Sequence, residues 1–194
     1  MYSVSDAFLR AVRSNTRKYF WTGTIVTKGG MTYEFGAKEI VKGSGYISRQ
    51  CCGSTEIELG TVYAAEMGIT LLSDIDRYTL EDALVTLVFH LVLADGSVED
   101  VPMGVFEVSE ANRLAKCLEL KAYDFMLRFD KSFNGFETVG TAYDFIALCC
   151  KRCKVELANK RAEIDAMPNG GVTLSVYTEN DIETCRDVLF YVAQ

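Results

Sequence analysis

The spacing of apolar positions along the chain changes character twice. Val4, Phe8, Ala11 and Val12 recur at helical intervals behind Ser5 and Asp6, which predicts a short, N-capped amphipathic helix. From Lys18 to Lys121 the period is mostly two. Residues 19–27 are aromatic and β-branched, Lys28-Gly29-Gly30 turns, and 31–35 return. Glycines at 43, 45 and 53 bracket a strand at 46–51; residues 56–59 alternate and lead through Gly60, read as a bulge or bend, into 62–72. Residues 84–93 turn at Asp95-Gly96, a type I′ signal, and return through 98–108, with Pro102 fitting a strand start or bulge. Residues 113–121 read as one further strand with Leu114, Lys116, Leu118 and Leu120 on one face.

Segment 84–93 is unusual because both its faces are apolar. Val85, Leu87, Phe89, Leu91 and Leu93 form one; Leu84, Val88 and Val92 form the other, interrupted by Thr86 and His90. Such a strand belongs inside a sandwich or closed barrel, or beneath a partner subunit. After Lys121 the period becomes helical. Residues 123–129 predict a short helix and 131–136 a loop marking a boundary. Thr141 with Asp144 resembles a capping box ahead of Phe145, Leu148 and Cys149. Residues 161–167 predict a helical turn stopped by Pro168-Asn169-Gly170-Gly171, and 173–177 a short strand. Asn180 is expected to cap a last helix with the stripe Ile182, Cys185, Leu189, Val192. The recurrence of Ala-Tyr-Asp-Phe at 122–125 and 142–145 is explained by two helix starts with the same acidic first-turn chemistry. The fold class expected is α+β: an antiparallel β-barrel or sandwich with flanking helices over 1–130, then a smaller mixed α/β, mainly helical segment over 131–194. The last helix meets Gln194 with its apolar face unfinished, so a longer natural chain is expected.

Composition narrows the function classes. Over 194 residues, 20 basic against 27 acidic side chains leave a net charge of −7, and 49% apolar content excludes disorder. The acidic balance argues against general nucleic-acid binding. Arg10, Arg13, Arg17 and Lys18, running into Tyr19-Phe20-Trp21, read instead as a solvated helix face before a strand, or as a surface for an acidic partner subunit. No signal peptide opens the chain and its longest apolar-rich run, 83–94, is too short to span a bilayer, so a cytosolic protein is expected. Seven cysteines at 51, 52, 117, 149, 150, 153 and 185 are odd in number and partly adjacent, which favours reduced, buried thiols. Cys150 and Cys153 have the spacing of a zinc half-site, but Cys51 and Cys52 would point to opposite faces of a strand. His90, the lone histidine, excludes multi-histidine metal sites; mid-strand and without a local hydrolase signature on any cysteine, it reads as buried or interfacial rather than as a base. Ser73-Asp74-Ile75-Asp76 lacks the glycine and glutamate of a calcium loop, and Gly43-Ser44-Gly45 lacks the Lys-Ser/Thr of a P-loop. No catalytic, cofactor-binding or metal-ligating residue is therefore assigned, and no enzyme is expected.

One stretch is recognisable. Residues 45–50, then 56–66, then Val101-Pro102-Met103-Gly104-Val105-Phe106-Glu107-Val108, and finally Leu120 before Ala122-Tyr123-Asp124-Phe125-Met126, resemble in order and spacing the N-terminal region of phage and prophage tail hub (baseplate hub) proteins. Residues 187–194 look like the helix before the next β segment of those proteins. The resemblance implies a virion structural protein, built on a tail-tube-like barrel, that joins tail tube to tail tip in the baseplate. It implies a ring with copies of itself, a homotrimer in the full assembly, and contacts with other tail proteins. Neither nucleic acid, membrane nor small-molecule substrate is implied as a partner. Assembly would occur in a bacterial cytoplasm and the product reside in the virion tail. The distal tail adaptor and the N-terminal domain of a tail-associated lysin or fibre are alternatives within that class. Cys51-Cys52 and the Cys149, Cys150, Cys153 group depart from the family's pattern and keep open a zinc-dependent interaction module; a cysteine-dependent hydrolase using His90 is the third class.

Overall fold

The structure, a computed structural model, describes residues 2–50, 60, 61, 63–135, 138–177 and 181–194. Its contacts divide the chain into two units, Met1–Ser48 with Ala65–Asp124, and Arg49–Ala64 with Phe125–Gln194.

The first unit opens with α1 (Asp6–Val12), where the Ser5 hydroxyl accepts from the Phe8 N–H and Phe8 is buried. There follow β1 (Lys18–Val26), β2 (Thr32–Phe35), β3 (Tyr46–Ser48), β4 (Glu66–Leu72), β5 (Leu84–Val92), β6 (Val98–Leu114) and β7 (Cys117–Tyr123). They form one sheet in the order β2-β1-β5-β6-β7-β4-β3, with every neighbouring pair antiparallel. β6 is 17 residues long and serves two ladders, its first half pairing β5 and its second half β7. Register shifts interrupt it at Leu87/Val88 against β5 and at Val108/Glu110 against β7, and bulges of this kind bend a strand and increase its twist. Pro102 lies beside the first of these, as its missing N–H requires.

The bend lets both halves of the sheet share one core. Ile25, Val85, Leu87 and Phe106 from one half pack in the same cluster as Met67, Ile69, Leu71, Leu118 and Leu120 from the other. Two close approaches help the edges curl. The Phe35 ring covers Gly23, its partner on β1, so closely that a Cβ there would sit 2.4 Å from the ring. Tyr46 likewise covers Gly68 on β4. Just beyond β2 the chain crosses to the opposite edge: Ile40 bridges Leu71, Val41 N–H donates to Thr70 and Leu72 N–H donates to Glu39. Only four residues separate Phe35 from Ile40, five steps of chain with a reach of at most ~17 Å. The sheet is thus strongly curved, although among the described residues no ladder joins β2 to β3.

Several expectations need correction. The β5–β6 hairpin does not use a two-residue type I′ turn. Of its loop residues only Gly96 has a positive φ, Gly96 N–H donates to Leu93 and Leu93 N–H to Ser97, the pattern of a three-residue loop with glycine in the left-handed position. Residues 113–121 are not one strand: Leu114 pairs Cys117 across a tight turn at Ala115-Lys116, with Ala115 at φ 54°. No Gly, Asn, Asp or Pro marks that turn, so the alternation reads through it. The strand expected at 46–51 is three residues long, Tyr46–Ser48. Residues 56–59 lie outside the described residues; Gly60 sits in a turn at φ 82°.

The second unit contains a 3₁₀ turn (Phe125–Asp130), β8 (Thr138–Gly140), α2 (Ala142–Cys153), α3 (Arg161–Asp165), β9 (Leu174–Val176) and α4 (Cys185–Ala193). β8 and β9 pair antiparallel. Helix α2 opens on Thr141, whose N–H (2.8 Å) and hydroxyl (3.0 Å) both donate to the Asp144 carboxylate, and ends at Lys154 in the left-handed conformation. Helix α4 is capped by Thr184: its hydroxyl accepts from Asp187 N–H, and the Asp187 carboxylate accepts from Thr184 N–H. The expected cap, Asn180, lies outside the described residues, and the Thr184/Asp187 box fixes the start four residues later. Phe129, Phe133, Phe145, Cys149, Cys150, Cys153, Val176, Ile182, Cys185 and Val188 form the core. The fold is therefore α+β with antiparallel sheets.

Candidate functional site

The face of β1–β5–β6 turned away from the core forms a regular grid. Its cross-strand rows run Lys18–Val92–Val98, Phe20–His90–Asp100, Thr22–Val88–Pro102, Thr24–Thr86–Val105 and Val26–Leu84–Glu107. Phe20, Val26, Val98 and Val105 are exposed, while Leu84, Val88 and Val92 are half-buried. The second apolar face of β5 is therefore uncovered among the described residues. The five rows of three strands span roughly 300–400 Å² at ordinary strand and residue spacings, and within them eight apolar side chains alternate with Lys18, Thr22, Thr24, Thr86, His90, Asp100 and Glu107.

His90 lies within this grid and is fully engaged. Nδ1 lies 2.6 Å from Asp100 Oδ1, Nε2 lies 2.7 Å from the Thr22 hydroxyl, and the Phe20 ring stacks on the imidazole at 4.5 Å and 10°. A carboxylate only accepts, so in neutral His90 Nδ1 carries the proton and Nε2 accepts from Thr22. The side chain is only 13% exposed. Neither ring nitrogen faces a cysteine, so the structure does not bring together the histidine–thiol pair weighed from sequence. The hydroxyl–imidazole–carboxylate order could draw a proton from Thr22, and sequence reading missed it because the three residues come from three strands.

Beside it, an open groove of about 560 Å³ is lined by Thr22, Thr24, Thr86, Glu34, Glu39 and Val88 among others. Its two carboxylates oppose a developing oxyanion, and the Gly36 N–H is already donated to Glu39 at 2.9 Å. Thr22, His90 and Asp100 are arranged as a polar brace, half-buried at Thr22 and His90 and exposed at Asp100.

A second brace secures the other end of the sheet. The Tyr46 phenol donates to Glu66 Oε1 at 2.6 Å, and Lys121 Nζ lies 3.3 Å from Glu66 Oε2. The Tyr46 bond holds the Glu66 carboxyl below its ordinary value and raises the phenol's own pKa. Lys121 is raised, first by Tyr123 and then by Glu66.

In the second unit the thiols of Cys149, Cys150, Cys153 and Cys185 are all buried and unbonded to one another covalently. Burial, and after it the neighbouring Cys185, pushes Cys149 well up and Cys153 up to about 12; burial raises Cys150. These are protonated thiols packed as apolar groups. Among the described residues no group of three or more His, Cys, Asp or Glu side chains is arranged to hold a metal ion. Cys51 and Cys52, the other half of the zinc reading, lie outside the described residues. No helix among the described residues is long and apolar enough to cross a membrane.

No protein-family model matches the chain, and no curated protein matches it. Among solved structures, a chain from the virion of a native gene transfer agent particle overlaps with a TM-score of 0.44 at 11% identity. The overlap covers 67% of this chain and 48% of that one, so this chain spans about half the other's length.

Proposed function

We propose that the protein is a structural component of a phage or prophage tail, of the hub or baseplate type, working by assembly with copies of itself and with other tail proteins rather than by catalysis. The observation that carries this reading is the uncovered apolar face of β1–β5–β6, with its one histidine braced rather than presented to solvent. Its occupant is a second copy of this chain. Stable interfaces bury about 800 Å² per partner, so the grid would supply roughly half, with the rest drawn from neighbouring surface. Charge favours the same occupant: Arg10, Arg13, Arg17 and Lys18 are exposed at one end of a chain whose net charge is −7. The resemblance of the ordered motifs to tail hub proteins supports the hub identity, a ring, and a homotrimer in the complete particle. On this reading the curved sheet is a barrel whose closure is aided by residues 36–41, and the protein assembles in a bacterial cytoplasm before residing in the tail.

Sedimentation of the purified chain over a concentration series tests the proposal. Self-association is expected to grow through the range of about 10–500 μM, and Val98→Lys with Val105→Lys to weaken it at least ~10-fold while leaving the melting temperature nearly unchanged. A chain that stays monomeric at about 1 mM, or associates equally well with both lysines in place, would refute assembly through this face.

A further inference from the structure

The second unit places thiols where two helices meet. Cys149 and Cys153 lie one turn apart on the same side of α2, Cys185 is the first residue of α4, and all three are buried in one cluster at 0%, 5% and 0% exposure. Cys185 is close enough to perturb both of the others. Cys149 and Cys153 cannot bond each other within an intact helix: Cβ atoms four residues apart are about 5–6 Å from one another, whereas a disulfide needs roughly 3.5–4.5 Å. Cys185 is free of that constraint and must be one partner of any bond formed here.

We infer that Cys185 is the common partner in a redox-dependent clasp, forming a disulfide with Cys149 or Cys153 that ties α4 to α2 when the protein passes from reducing to oxidising surroundings. The oxidant is a low-molecular-weight disulfide. One protein thiol, giving its proton to solvent, attacks a sulfur of the oxidant, expels one small thiolate and leaves a mixed disulfide. The second protein thiol, also deprotonated, displaces the other small thiolate. Two protein thiols are oxidised and one external disulfide is reduced to two thiols. Because the thiols are buried and protonated in the closed state, the reaction proceeds through local opening of α4 and is slow. The third thiol stays beside the new bond and can exchange into it, so the link moves between Cys149 and Cys153. The clasp closes a loop of more than thirty residues and limits the unfolded ensemble accordingly.

The test incubates the folded full chain with oxidised glutathione and maps disulfides in the tryptic digest, which separates Cys153 from Cys149 by cleavage after Lys151 and Arg152. The expected link joins the Cys185 peptide to one carrying Cys149 or Cys153, with a rise in melting temperature of about 5–15 °C that a reductant reverses. Cys150→Ser leaves the link in place. Cys149→Ala moves it wholly to Cys153, Cys153→Ala moves it wholly to Cys149, and only the double substitution removes it. The inference is overturned if Cys185 pairs with Cys51, Cys52, Cys117 or Cys150, if either single substitution abolishes the link, or if no link forms before the chain unfolds. The mapping is done on the unsubstituted chain, with fragmentation of the linked peptide between Cys149 and Cys150, which trypsin leaves together, to say which of the two holds the bond, so poor folding of a variant does not blunt it.

Discussion

Gly23 is where β1 meets the ring of Phe35 on one side and the Thr86 carbonyl, 2.5 Å from any added Cβ, on the other. Neither can withdraw, one being buried and the other in a ladder, so Gly23→Ala is expected to cost ~1–3 kcal/mol in a urea melt. Ala115 presents the converse case. It holds a positive φ of 54° without glycine's freedom, and Ala115→Gly is expected to stabilise by about 0.5–1 kcal/mol. His90 depends on both neighbours. Thr22→Val removes the donor to Nε2, leaves a half-buried acceptor unpaired and should lower stability by ~1–3 kcal/mol. Legibility at this scale turned on one residue of register. A two-residue loop at Asp95-Gly96 would set Val101 opposite His90; the observed three-residue loop sets Asp100 there, and with it the whole brace. That His90 is buried or interfacial rather than a base could be read from its place in an apolar strand. Its partners could not, because nothing local records a one-residue shift.

Elements were read best where short-range chemistry decides them. The Ser5 cap of α1, the Thr141/Asp144 start of α2 and the strands of β1, β2 and β5 follow from capping residues and strict periodicity. The turn at Ala115-Lys116 was hidden because long-range pairing of β6 with β7 imposes it on residues with no turn preference of their own. β8 was missed because three residues, Thr138–Gly140, carry too little pattern and are strand only through pairing with β9. The two capping boxes make separate, testable claims. Thr184→Ala should cost about 1 kcal/mol by denaturant titration. Asp144 is held at about 2, first by its bond to Arg161 and then by Thr141, against an ordinary 3.8. A carboxyl depressed in the folded state stabilises above its unfolded pKa and loses that contribution as pH falls through the folded one. Helical signal and melting temperature should therefore fall between about pH 4 and pH 2, and Asp144→Asn should show a flatter profile across that window and a lower melting temperature above it.

At the scale of the molecule, two hydrophobic clusters lie in two units, one in the seven-stranded sheet and one among the helices that follow it in the chain. In the first unit the 17-residue β6 is the member common to both halves of the sheet. This has a kinetic consequence. β5, β6 and β7 form a meander of two tight hairpins, whose ends meet at small entropic cost, whereas β1 reaches β5, and β4 reaches β7, only across long stretches of chain. Folding should begin on the meander and recruit the outer strands afterwards. In stopped-flow experiments Phe106→Leu should then act mainly by slowing refolding, and Ile25→Val mainly by hastening unfolding. A strand that must be satisfied on both flanks makes the sheet form in a set sequence: until β6 is in place, the half that grows on β5 and the half that grows on β7 have nothing to join them.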